Sequence, residues 1–81
     1  MILGKVTGNL WATKKDEGLC GQKLMIVQTD TGTVIATDSI GAGSGDTVIL
    51  CMGSSARIVS DSPADTAIVG IVDSFEKTNT F

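Results

Sequence analysis

Short segments rich in β-branched residues alternate with turn residues along this chain, and the apolar positions follow a strand period rather than a helical one. The pattern predicts strands over residues 2–12, 23–28, 33–40, 46–52 and 66–75. In the first, Ile2, Gly4, Val6, Gly8, Leu10 and Ala12 share one face, while Lys5, Thr7 and Asn9 occupy the other. Gly4 and Gly8 would let so long a strand bend sharply, as strands of small barrels must. The later strands are apolar on both faces. Leu24 and Ile26 oppose Met25 and Val27, Val48 and Leu50 oppose Ile49 and Cys51, and Ile68 and Val72 oppose Val69 and Ile71. A barrel interior covers one face only, so the other calls for a second chain. Ser54-Ser55-Ala56-Arg57-Ile58-Val59 fits a single helical turn capped by Ser54 or Ser55, with Pro63 in the loop beyond. Five strands and one short helix describe a small OB-like β barrel.

Composition sharpens the need for a partner. The chain has 81 residues and reads as one domain over 1–81. A domain of this size buries only about 60–65% of its unfolded surface and usually needs disulfides, metals or partners. Yet charged residues are only 19% of the chain and apolar ones reach 42%, against roughly 25% charged in an average domain. Metals are disfavoured, because the chain has no His and Cys20 and Cys51 lack a paired-ligand spacing. A Cys20–Cys51 disulfide is conceivable, but nothing resembling a signal peptide precedes the first strand, so a reducing cytosol is the expectation. Cys51 then serves as a small buried hydrophobe, and Cys20 lies in a Gly-flanked turn. Each apolar run falls well short of the roughly 20 residues that span a bilayer. The surplus apolar surface therefore points to oligomer contacts and not to a membrane.

The densest motif is Asp38-Ser39-Ile40-Gly41-Ala42-Gly43-Ser44-Gly45-Asp46. A Gly-x-Gly-x-Gly loop invites a phosphate, but that chemistry needs a helix N-terminus directly after the glycines. Thr47-Val48-Ile49-Leu50 follows instead and favours a strand. The glycines fit better as a tight backbone corner at a contact too close for side chains.

Catalysis has little to build on, since His and Tyr are both absent. Most carboxylates fall in turns or the tail, where solvated polar residues are expected. Asp38 and Asp73 border apolar strands and call for structural partners rather than a catalytic role, either Arg57 or the N–H groups of the Gly41–Gly45 loop. Arg57, the only Arg, suits a bidentate carboxylate contact across an interface, or a charge facing a pore. Trp11 beside Lys14 and Lys15 could offer a stacking platform for nucleic acid. A net charge of −3 and three aromatics argue instead for an interface or rim aromatic. No cofactor is implied.

Five pieces of the chain, taken in order, resemble the EutN/CcmL-type vertex proteins of bacterial microcompartments. These are Gly4-Lys5-Val6, Trp11 to Asp16, Leu19 and Gly21 with Lys23 to Gln28, the Gly41–Gly45 loop with its flanks, and Gly53-Ser54-Ser55-Ala56-Arg57 with the closing Ala67 to Asp73. Asp46 departs from the family's frequent Glu, and Thr29 to Thr33 is a short connection where relatives carry a longer one. The resemblance implies a five-stranded barrel assembled as a cyclic homopentamer that caps the vertices of a cytoplasmic polyhedral shell. It implies hexameric shell proteins as neighbours and no enzyme activity. Combined with the steric reading, it places Gly41, Ala42, Gly43, Ser44 and Gly45 around the five-fold axis, with Asp38, Ser54, Ser55, Ala56 and Arg57 bracing the subunit contact. The competing class is a small OB-like ligand- or nucleic-acid-binding module. A third is an enzyme subunit using the glycine loop as an anion site.

Overall fold

A computed structural model describes residues 1–11, 23–53 and 65–74. The expected helical turn, with Ser54, Ser55, Ala56 and Arg57, lies outside the described residues, as do Ala12, Cys20 and Phe75. Five strands are present: β1 (Ile2–Leu10), β2 (Lys23–Thr29), β3 (Gly32–Asp38), β4 (Thr47–Met52) and β5 (Thr66–Val72). They close into a barrel in the order β1-β2-β3-β5-β4, with β4 returning to β1. All contacts between neighbours are antiparallel except the short β3–β5 seam, which is parallel.

The period-two expectation for β1 holds as far as Val6; beyond it Gly8 is half-buried and Leu10, expected on the inner face, is exposed. Gly4 and Val6 are buried, and Leu3, Lys5, Thr7 and Asn9 are exposed. Gly4 is required by close approach: a Cβ there would run into the Val27 side chain and stand 3.2 Å from Leu50 Cδ1 and 3.3 Å from the Gln28 carbonyl oxygen. With no side chain at that point, β1 can press across the interior between β2 and β4. Gly8 follows a bulge, where the pairing with β2 shifts between Val6 and Gly8. Such a bulge bends the strand and lets it serve β4 with its first half and β2 with its second. The core is aliphatic, built from Val6, Met25, Val27, Ala36, Val48, Leu50 and Ile68, and joined by Ala42 from the glycine loop.

Three strands end two or more residues earlier than expected, and the other boundaries agree within one residue. β1 stops at Leu10, leaving Trp11 beyond the strand and 88% exposed. β3 stops at Asp38 instead of residue 40, because the Asp38 side chain captures the N–H of Ile40 and turns the chain out of the sheet. β5 stops at Val72, and Asp73 is exposed in the bend that follows, so it is not a buried carboxylate. Cys51 is buried in β4, as its apolar neighbours suggested.

Candidate functional site: a glycine loop anchored by a buried carboxylate

The loop between β3 and β4 is organised by one side chain. Asp38 is the last residue of β3, and its side chain is fully buried. Its Oδ1 accepts hydrogen bonds from the N–H groups of Ile40 at 3.0 Å and Gly41 at 3.2 Å, and Oδ2 accepts from Ala42 at 2.8 Å. Bonds from neutral donors to an ionised oxygen are stronger than neutral pairs, and three of them satisfy a carboxylate that burial would otherwise penalise. Of the two partners open to Asp38 from sequence, the loop N–H groups are present. Arg57 lies outside the described residues.

Sequence reasoning passed over the cation in this arrangement. Lys23 opens β2 and is paired in register with Asp38. Its Nζ stands 3.7 Å from Asp38 Oδ2 and donates to the Ala42 carbonyl at 3.2 Å. The lysine thus ties both ends of the turn, although its side chain is 48% exposed and the ion pair is correspondingly screened. The available signal was pairing register, which brings together two residues far apart along the chain.

The second half of the loop closes in the same way. Asp46 Oδ2 accepts from the Gly43 N–H at 2.8 Å, and the Asp46 N–H returns to the Gly43 carbonyl at 3.1 Å. Gly45 N–H donates to the Val6 carbonyl at 2.8 Å, and Val6 N–H donates to the Asp46 carbonyl at 2.9 Å. The loop therefore extends the β1 ladder ahead of the start of β4, and it drops Ala42 into the core as a plug. Gly41 and Gly45 hold φ of 90° and 92°, a region that side-chain-bearing residues rarely adopt. Gly43 has ordinary φ, and a Cβ there would meet nothing nearer than Asp46 Oδ2 at 3.9 Å.

This geometry bears directly on the anion reading. The N–H groups of Ile40, Gly41, Ala42, Gly43, Gly45 and Asp46 are all donated to oxygens of the chain itself. Two carboxylates already sit where a bound anion would sit, and these six donors are taken, which disfavours phosphate. Among the described residues, no group of three or more acidic or cysteine side chains is placed to hold a metal ion.

The fold of this chain is shared with known proteins. The family whose description is "Ethanolamine utilisation protein EutN/carboxysome" matches residues 1–73. The chain belongs to the EutN/CcmL family. It is 43% identical to the bacterial microcompartment shell vertex protein GrpN of Rhodospirillum rubrum, over 98% of this chain and 100% of that protein. It is 41% identical to the vertex protein PduN of Salmonella typhimurium, covering 90% of this chain and 96% of the relative. The solved structure described as the GrpN pentameric microcompartment shell protein superposes with a TM-score of 0.88, covering 96% of this chain and 100% of that one. The pentameric shell protein MSM0273 of the RMM microcompartment gives 0.87 at 32% identity, with both chains fully covered. At these identities the EutN/CcmL barrel is a common inheritance.

Proposed function

We propose that this chain is a structural shell protein that assembles as a homopentamer and caps the five-fold vertices of a polyhedral bacterial microcompartment in the cytoplasm. The observation that carries the reading is the likeness, over nearly the whole of both chains, to a pentameric shell protein at 45% identity. The physical role follows from geometry. Hexagonal tiles lie flat, and five-fold tiles introduce the curvature that closure requires. Head-to-tail contacts close into a ring when the rotation per subunit permits. On this reading the chain folds as one domain over residues 1–81, binds no cofactor and catalyses nothing. Its neighbours in the shell are hexameric tiles. The Gly41–Gly45 loop faces the ring axis, and Asp38 braces the subunit contact by fixing that loop. Ser54, Ser55, Ala56 and Arg57 flank the same contact.

Deleting the gene in its native host tests the role. Hexagonal tiles should still associate, because their flat contacts do not involve this protein, but the compartments should be elongated, open or leaky by electron microscopy. Enclosed enzymes assayed in lysate should keep nearly full activity. Closed, regular polyhedra in a strain encoding no second vertex protein would overturn the assignment. A loss of lysate activity with normal shells would point to an enzyme subunit instead.

A further inference from the structure

Among the outward-facing apolar residues, the register of the barrel lines up two separate strips. On one flank, Gly8, Ile26 and Ile35 form a row across β1, β2 and β3, and Leu10 pairs with Leu24 in the next outward row. Leu10 and Ile35 are 36% and 41% exposed, and Trp11 adjoins their end of the barrel. On the other flank, Leu3, Ile49 and Gly70 form a row across β1, β4 and β5, with Leu3 56% exposed. Lys5, exposed on β1, stands between the two strips. The strips centre on β2 and β4, which are the two neighbours of β1 in the closed barrel. They therefore point in different directions without facing opposite ways.

We infer that these two strips are the donor and acceptor faces of one head-to-tail contact, the β1-β2-β3 strip of each subunit seating against the β1-β4-β5 strip of the next. The inference rests on the pentameric reading above and names the surfaces that make it. A ring built by rotation needs two different faces on every subunit, set at an angle to each other. An isologous dimer would need only one. Both strips are uncharged along their rows, as the core of a permanent contact should be. The first adjoins the Asp38–Gly45 loop through Lys23, which precedes Leu24 on β2 and bonds the loop. Trp11 at its edge supplies the large, rigid aromatic surface that anchors interfaces.

The test uses two variants of the full chain, Ile35→Glu on the first strip and Leu3→Glu on the second, followed by native mass spectrometry. Both positions face outward, so each variant should keep the wild-type circular dichroism spectrum. Leu10→Glu replaces Ile35→Glu if that fold is lost. Each variant alone should lose the pentamer and run as a monomer. An equimolar mixture should give a discrete heterodimer that grows no further, since one intact face remains on each partner. Pentamers from both variants would overturn the assignment of faces while leaving the pentameric reading intact. A homodimer of either variant, or a mixture that stays monomeric, would also overturn the pairing. A wild-type chain that is not pentameric would instead refute the reading on which the inference rests.

Discussion

Removing the carboxylate of Asp38 would strand three backbone N–H groups that now point at it. Each unsatisfied buried donor costs roughly 1–3 kcal/mol, and some of that is recovered where loosening of the loop admits water. Asp38→Ala should therefore destabilise the chain by about 2–4 kcal/mol in urea unfolding. Asp38→Asn should fall between it and wild type, because an amide can keep Oδ1 in place but turns an NH2 toward the Ala42 N–H and Lys23. Lys23→Ala should cost less than about 1 kcal/mol, as half-exposed ion pairs do. Equal effects of Asp38→Ala and Lys23→Ala would show that the charge pair, and not the N–H cradle, holds the loop. The choice of partner for Asp38 was half legible in the sequence. A carboxylate placed just before a run of glycines can fold back on the following N–H groups, whereas the Lys23 contact depends on a register that period-two patterning does not encode.

At the scale of elements, alternation and turn residues place all five strands within a few positions of their observed ends. The misplaced ends have local causes. β3 ends early because its own terminal side chain competes for the backbone. What alternation could not convey was closure: Gly4 lets β1 cross the interior, and the bulge before Gly8 divides that strand between two partners. The glycine pattern alone predicts a corner at a contact too close for side chains. In the structure, two of its glycines answer to backbone conformation, and the segment carries a core plug at Ala42. Gly43 answers to neither requirement within its own subunit. This separates the two explanations by experiment. Gly41→Val should lower stability by about 1–2 kcal/mol through strain at positive φ, with or without a ring. Gly43→Val should leave subunit stability nearly unchanged and impair ring assembly, as judged by light scattering, if five loops converge on the axis. Undiminished assembly of Gly43→Val would place the loop away from the axis.

The whole molecule is a small barrel whose aliphatic core is complete and whose outer strips are not covered by its own described residues. Its unusually low charge content was the sequence's clearest sign of partnership, since a domain with so much surface per residue should otherwise carry more polar groups. That signal gives the existence of a partner but not the number of copies. The number comes from likeness to pentameric shell proteins. Association by two apolar faces also predicts coupling between assembly and stability, because burial in the ring adds to the marginal free energy of an isolated small domain. The most direct measurement is the native mass of the purified wild-type chain at dilute concentration without added ligand. A single species of five chains, persisting on further dilution, is the result expected. A stable, well-folded monomer would contradict the account.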